Sequence, residues 1–197
     1  MAKTVARGVA LAAMTPALVS FWLRARVLGA DRALEGSTQM LALIPGLAGQ
    51  YLRRAFLSRV LPECHASATI EFGTIFSRCG TRIEANAYVG PRCHIGLARI
   101  ERNALLAAGV HVPSGAHSHG ISDPALPMRD QPGTRTMVRI GAGAWIGSAA
   151  VVMADVGHDS IVGAGAVVTR PIPGRMVAAG VPARIVRSRE EGALTAG

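Results

Sequence analysis

The sequence predicts an all-β domain of stacked triangular coils, a parallel β-helix built from six-residue repeats, behind an N-terminal α-helical extension. The first observation is periodic: beyond residue 65 a large apolar side chain returns at about every sixth position. The second is that a small residue often follows it, as in Val89-Gly90, Ile95-Gly96 and Ile146-Gly147. The third is composition, because 23 glycines and only 4% aromatic residues suit narrow coils better than a sandwich or barrel core.

The bulk properties restrict the choice of partners. The 197 residues carry a formal net charge of +9, but the basic residues are scattered and no aromatic residues alternate with them. We therefore expect no nucleic acid, whereas a phosphate-bearing ligand or an anionic membrane surface fits the charge. Cys64, Cys79 and Cys93 are odd in number and form no CxxC pair, which disfavours a disulfide framework and fits a reducing cytoplasmic compartment.

Residues 1–63 are predicted to form a helical, apolar extension. Val9–Leu23 is nearly all apolar and has basic residues on both sides, like a signal-peptide core or a membrane anchor. It is shorter than the roughly 20 residues of a spanning helix, and Pro16 lies in its middle. We expect a helical segment that lies on a membrane surface or packs against the rest of the chain.

A second helix is predicted over Gly49–Leu57, where Tyr51, Leu52 and Phe56 are among the apolar residues at helical spacing. Two interpretations of the extension stay open. It is either a cap that covers the first coil of the repeat domain or a surface that docks on the inner leaflet of the membrane.

The repeat domain is predicted over residues 64–197. Six residues supply one short strand and one corner, the apolar side chain points inward, and a glycine after it relieves crowding at the corner. The interval from Val152 to Val162 is only ten residues, so one coil is predicted to be shortened. The inward positions are Ile70, Phe76, Ile83, Val89, Ile95, Ile100, Leu106, Val112, Ile140, Ile146, Val152, Val162 and Val168.

Three motifs in the C-terminal third carry a family resemblance. They are a Trp-Ile-Gly turn within Ile140–Val156, a Val-Thr-basic-x-Ile-Pro exit within Val162–Pro173, and a Gly-x-Pro-Ala-Arg closure within Val177–Arg187. Over about residues 68–188 the chain resembles the hexapeptide-repeat acetyltransferases, especially the maltose, galactoside and capsule-type O-acetyltransferases. Its long N-terminal extension is similar to that of a polysaccharide-associated subgroup.

The resemblance implies a left-handed coil, a cytoplasmic homotrimer and acetyl-CoA bound in the groove between two subunits. Trp145 would either pack at a subunit contact or form a wall of the CoA tunnel. Arginine suits the phosphate groups because its planar fork forms paired charged hydrogen bonds, although a solvated basic edge would look the same in the sequence. The residues implied to bind CoA are Ser148 and Ala164 at the pantetheine arm, Thr169 and Arg170 near the adenine and its phosphate, and Arg184 and Arg187 at the phosphates.

The repeat breaks at residues 113–137, a polar, Gly- and Pro-rich excursion that contains His117 and His119. Acyl transfer from a thioester to a hydroxyl needs a base for the hydroxyl proton and a hydrogen-bond donor for the oxyanion, and histidine suits the first role. The resemblance implies that the base follows an aliphatic residue by seven positions, which gives His117 when counted from Val110. His119 is the alternative, because a loop can shift the register. The implied acceptor is a hydroxyl of a sugar or a surface-polysaccharide precursor.

Two other functions are compatible with the residues alone. A metal enzyme of the γ-carbonic-anhydrase type needs three histidines that meet between subunits, and His94, His117 and His119 are the candidates. His117 and His119 are separated by one residue instead of the usual four, so no metal site is expected. A non-catalytic prism that organises a complex at the membrane is the second function, and the histidine-bearing excursion argues against it.

Overall fold

The structure is a computed structural model that describes residues 2–118 and 120–190. Its N-terminal part forms four helices: α1, Ala2–Ala13; α2, Thr15–Leu28; α3, Ala30–Ala42; and α4, Gly46–Val60. Short strands follow from Glu63 onwards, so the prediction of an all-β repeat region behind a helical extension is confirmed.

Pro16 marks the junction between the first two helices. It occupies the first turn of α2, where the missing N–H leaves no helical hydrogen bond unmade. The two helices are bent by 48° relative to each other at this break. In the described part of the chain no single helix has the length and apolarity to cross a membrane, and only the bent pair Thr4–Ala13 and Thr15–Leu28 reaches them together.

Helices α3 and α4 cover the first coil of the repeat domain. The Arg53 side chain, 2% exposed, donates hydrogen bonds from Nε to the Ile70 carbonyl at 3.0 Å and from Nη1 to the Ile44 carbonyl at 2.7 Å. The Thr38 hydroxyl accepts the backbone N–H of Phe76 at 3.1 Å. These bonds satisfy polar groups that the first coil would otherwise leave bare, so α3 and α4 form the cap that was one of the two interpretations of the extension.

The repeat domain has three parallel sheets that form the sides of a triangular prism. Sheet A has the order β1-β4-β7-β10, sheet B the order β16-β15-β13-β11-β8-β5-β2, and sheet C the order β14-β12-β9-β6-β3, with only β16 antiparallel to its neighbour. The strands are β1, Glu63–Cys64; β2, Thr69–Ile70; β3, Ile75–Phe76; β4, Arg82–Ile83; β5, Tyr88–Val89; β6, His94–Ile95; β7, Ala98–Ile100; β8, Leu105–Leu106; β9, His111–Val112; β10, Val138–Ile140; β11, Trp145–Ile146; β12, Val151–Val152; β13, Ile161–Val162; β14, Val167–Val168; β15, Met176–Ala179; and β16, Arg184–Ser188.

The predicted repeat positions form the core of the prism. Each of them is the last residue of a strand, and each is at most 1% exposed. In sheet B, for example, Val89 pairs with Leu106 and Leu106 with Ile146 in the parallel register. Equivalent apolar side chains therefore stack from coil to coil, as the period of six residues predicts.

The coils vary in length at only one of the three corners. From sheet A to sheet B and from sheet B to sheet C, successive inward residues are six positions apart, as in Ile83, Val89 and Ile95. From sheet C to sheet A the interval between inward residues is seven after the first coil, five after the second, and four in each of the last two coils. The excursion at residues 113–137 leaves the prism at this same corner, between β9 and β10.

The short interval from Val152 to Val162 also arises at this corner. Val156, 1% exposed, takes the inward position on the sheet A side and forms single parallel bridges to Ile140 and Ile172. Sheet A thus continues through the last two coils as isolated bridges in place of strands. The coil is therefore shortened only at this corner, and the other two corners keep their six-residue spacing.

At several corners the glycine that follows an inward residue is required by close backbone contact with the next coil. A Cβ atom added at Gly141 would lie 2.5 Å from the backbone nitrogen of His158, which cannot move without displacing the next coil. At Gly163 the nearest atom would be the Ala179 Cβ at 3.0 Å, and the nearest backbone atom would be 3.6 Å away.

We expect Gly141→Ala to lower the free energy of unfolding by about 1–3 kcal/mol, the usual cost of overpacking a rigid site. Gly163→Ala is the matched control and is expected to cost distinctly less, because its new methyl group meets a side chain before any backbone. Thermal and urea unfolding of the two variants would measure the difference. Equal losses would contradict the explanation by backbone contact.

Candidate functional site

The three outer faces of the prism differ in chemistry. Face A, the outer side of sheet A, carries paired charges: Arg99 Nη2 lies 2.8 Å from Glu84, and Arg139 Nε lies 2.5 Å from Glu101. Burial alone would raise the pKa of Glu101, but hydrogen bonds from Arg139 and from the Ala142 N–H outweigh it, and the pKa is lowered. The charges of face A are thus used to bind neighbouring coils together.

Face B, the outer side of sheet B, is mainly apolar. Tyr88, Leu105 and Trp145 lie side by side on adjacent strands, followed by Ile161 and Val177. Trp145 is 50% exposed and Leu105 is 42% exposed in the single chain. A contiguous row of large apolar side chains on the outside of a domain is typical of an interaction surface.

Face C, the outer side of sheet C, holds a cavity of about 360 Å³. His94 and His111 pair in register on β6 and β9, and their rings meet edge to face with centroids 6.1 Å apart. Besides these imidazoles the cavity is lined by Ser77, Arg78, Gly96, Val112, Pro113, Ser114, Ser118, Arg135 and Val151. The wall therefore combines hydroxyl, imidazole and guanidinium groups, and none of the described residues that line it carries a carboxylate.

The helical cap positions one wall of this cavity. Asp31, at the start of α3, accepts the backbone N–H of Cys79 at 2.9 Å and lies 3.1 Å from Nη1 of Arg78. Within the described residues, the buried Nε of Arg78 has no hydrogen-bond partner. The N-terminal extension thus contributes directly to the shape of face C.

The excursion returns to the prism beside the cavity. The carbonyl of His117 accepts the N–H of Thr134 at 2.7 Å, and the carbonyl of Ser114 accepts the N–H of Thr136 at 2.9 Å. These bonds join the two ends of the excursion. The His117 side chain is exposed, and the next residue, Ser118, lines the cavity. His119 lies outside the described residues.

The centre of the excursion is ordered by Gln131. This side chain, 5% exposed, donates from Nε2 to the Asp123 carbonyl at 2.7 Å and accepts the Asp123 N–H at 3.2 Å. The Asp123 carboxylate itself accepts the N–H of Ala125 at 2.9 Å. One buried amide therefore fixes the turn that leads away from the histidines.

The residues implied to meet the pantetheine arm lie at the corner between sheets B and C. Ser148 and Ala164 are exposed and occupy equivalent positions in successive coils, and the Ser148 carbonyl accepts the Gly165 N–H at 2.8 Å. Val151, three residues after Ser148, lines the face C cavity. This corner is therefore a border of the cavity.

The remaining residues implied to bind CoA lie at the C-terminal end of the prism. Arg170 and Arg184 line one shallow depression of about 250 Å³, and Thr169 is exposed next to Arg170. Arg187 is exposed on β16, where it pairs with Val177 of β15. In residues 2–118 and 120–190 none of these three guanidinium groups forms an ion pair. We refer to Arg170, Arg184 and Arg187 as the arginine edge.

The cysteines are not suited to act as nucleophiles. Burial raises the pKa of the Cys64 thiol to about 12 and those of Cys79 and Cys93 to about 11. Thiols with such pKa values stay protonated near neutral pH. Among the residues that the structure describes, no three His, Cys, Asp or Glu side chains converge as metal ligands do.

The sequence interpretation considered His94 only as a ligand of the alternative metal site and gave His111 no role, although both line the cavity. The signal was present, because each directly precedes an inward residue, Ile95 and Val112, and the two lie 17 positions apart. That separation is one coil, so the two imidazoles stack on the same face. Arg78 and Asp31 could not be found in this way, since their contact joins a helix to a distant coil.

Comparison with protein families agrees with the repeat. Residues 80–113 and 137–170 match the model described as the hexapeptide repeat of succinyl-transferase, and the gap between them contains the excursion. Galactoside O-acetyltransferase of Escherichia coli K12 is 48% identical over 52 residues, which cover 25% of this chain and 26% of that protein. The chain thus spans about a quarter of the length of that relative.

A longer match links the chain to WbbJ of E. coli K12, a protein named as a lipopolysaccharide biosynthesis O-acetyl transferase. The two are 33% identical over 142 residues, which cover 60% of this chain and 71% of WbbJ. Among solved structures, a galactoside acetyltransferase in complex with coenzyme A superposes with a TM-score of 0.62 at 23% identity, covering 82% of this chain and 83% of that one. The fold is a left-handed parallel β-helix, as predicted.

Proposed function

Because this chain belongs to the hexapeptide-repeat acetyltransferases, we propose that it transfers an acetyl group from acetyl-CoA to a hydroxyl of a saccharide. The arginine edge is the observation that carries this proposal. Its three guanidinium groups have no acidic partner in the described residues, and two of them share one depression. Exposed arginines at the end of the prism, without an ion-pair partner in the described residues, fit the phosphates of a nucleotide.

The chemistry requires a base, and the excursion supplies the candidates. His117 accepts the proton of the acceptor hydroxyl while that oxygen attacks the thioester carbonyl. A backbone N–H stabilises the oxyanion. The C–S bond then breaks, the protonated imidazole returns its proton to the sulfur, and the products are an acetyl ester and free CoA. His119 is the alternative base, two residues further along the same excursion.

The face C cavity fits the acceptor. Its serine hydroxyls, two imidazoles and Arg135 supply donors and acceptors for sugar hydroxyls, and Ser118 connects its wall to the excursion. The relative WbbJ is named for lipopolysaccharide biosynthesis. The acceptor class that this combination supports is a saccharide of a surface polysaccharide, acetylated in the cytoplasm.

We infer that the enzyme is a homotrimer with its sites between subunits. One prism provides a single wall for an extended CoA molecule, and a second wall must come from a neighbour. The apolar row of face B, centred on Leu105 and Trp145, gives the subunits a surface to bury. This assigns Trp145 to subunit packing.

Light scattering should give three times the 20.4 kDa chain mass. Trp145→Asp should shift the protein towards the monomer and lower turnover with it, because a charge would be buried at the contact. A fully active monomer would refute the trimer. A trimeric Trp145→Asp variant with a raised KM for acetyl-CoA would instead make Trp145 a wall of the CoA tunnel.

Arg170→Ala and Arg184→Ala should raise KM for acetyl-CoA more than they lower kcat. The nucleotide end is bound alike in the ground and transition states, so losing one charged hydrogen bond should cost about 1.5–3 kcal/mol of binding. Arg82→Ala, on face A, is the control and should leave KM unchanged. If both edge variants bind CoA as well as the parent, the assignment of the nucleotide site is wrong.

His117→Ala should lower kcat on the order of 10²–10⁴-fold, as expected for loss of a general base, and leave CoA affinity nearly intact. His119→Ala should act more weakly, through the shape of the loop, and His65→Ala should have no effect. The measurements are steady-state kinetics by thiol release and CoA titration. A larger loss of kcat for His119→Ala than for His117→Ala would make His119 the general base. Normal turnover of a genuine acceptor by both variants would show that the general base does not lie in the excursion.

A further inference from the structure

Helices α1 and α2 carry an apolar stripe that no other part of the described chain covers. Its members recur at intervals of three or four residues, the spacing that places side chains along one side of a helix. All are exposed, with Val9 at 64%, Leu23 at 62% and Val27 at 83%. The stripe consists of Val5, Val9, Ala12, Pro16, Val19, Leu23 and Val27.

The stripe runs across the break between the two helices. Ala12 at the end of α1 lines one shallow groove together with Pro16, Val19 and Leu23 of α2. The 48° bend at Met14 therefore leaves the apolar surface continuous. Single exposed apolar residues are common on protein surfaces, whereas a continuous apolar surface from Val5 to Val27 indicates a site of interaction.

The opposite side of the same helices is buried in the protein. Ala10, Met14 and Phe21 are at most 9% exposed, and the Phe21 ring lies edge to face with that of Phe56 at 5.7 Å. A helix pair fixed to α4 in this way cannot be surrounded by lipid. The arrangement instead fits helices that lie flat in a bilayer surface with one side immersed.

The segment that carries the stripe has charges of one sign only. Residues 1–30 contain Lys3, Arg7, Arg24 and Arg26 and no Asp or Glu. Trp22, 54% exposed, lies beside the stripe and has the side chain favoured at the boundary of headgroups and acyl chains. A second copy of the stripe would bring equal positive charges together, whereas anionic headgroups would neutralise them.

We propose that α1 and α2 bind the surface of an anionic bilayer, with the stripe immersed among the acyl chains and the basic residues among the headgroups. This inference does not depend on the proposed acyl transfer. It assigns the extension two tasks on two sides: α3 and α4 cap the first coil, and α1 and α2 contact lipid. The two interpretations that the sequence left open then apply to different helices.

The full-length protein should co-sediment with vesicles that contain phosphatidylglycerol and bind much less to vesicles of phosphatidylcholine alone. Binding to the anionic vesicles should fall as salt is raised. Val19→Asp combined with Leu23→Asp should weaken the partition coefficient on the order of 10²-fold, because burying each side chain contributes roughly tenfold. Ile121→Asp, at an apolar position of the excursion that is 82% exposed, is the matched control and should bind as the parent does.

Circular dichroism and thermal unfolding would first establish that the variants fold. We expect them to fold because the substituted side chains are exposed. Quenching of tryptophan emission by brominated lipid, lost in Trp22→Phe, would be a second readout of insertion. The proposal is overturned if the parent does not bind anionic vesicles, if the stripe variant binds equally well, or if the stripe variant changes the mass of the assembly in the absence of lipid. Loss of vesicle binding with acetyl transfer to a soluble acceptor intact would support the membrane surface and leave the catalytic proposal standing.

Discussion

Neighbouring coils are separated by one strand spacing, about 4.8 Å, and this distance constrains every other feature of the prism. At Gly141 the backbone of the next coil lies so close that a side chain has no room, which is why glycine is needed there. The same spacing stacks the inward aliphatic residues into continuous rows. Each outward position therefore recurs at fixed intervals along a face, so that His94 and His111 lie one above the other on face C.

Within the described coils, the number of residues between inward positions varies only at the corner from sheet C to sheet A. The other two corners keep six-residue steps through the described coils, so the differences in coil length all arise at one edge of the prism. The excursion with His117 enters there, and it lies next to the histidine-lined cavity on face C. The position of the candidate site thus follows from the geometry of winding as much as from the chemistry of its residues.

Much of this was predictable from the sequence, and the failures have identifiable causes. The period of six residues predicts each inward position because burial depends on local register, and Ile70 or Val168 can be assigned without knowing the rest. The pairing of His94 with His111 requires the coil length as well, which changes at the variable corner. The contact of Asp31 with Arg78 joins residues 47 positions apart and has no periodic signal. Which helices of the extension form the cap, and which expose an apolar surface, depends on the sides that are buried in the fold. Composition alone does not reveal those sides.

The cap has a consequence for solubility. A parallel prism ends in a coil whose strands have one unpaired edge, and such an edge can recruit the end of another prism in the same register. Here Arg53, Arg54, Thr38 and the Ala42 carbonyl bind the edge groups of Ile70, Ala68, Phe76 and Gly73. The helices thus act as a terminator, because they occupy the hydrogen-bonding positions through which the molecules would otherwise polymerise end to end into fibres.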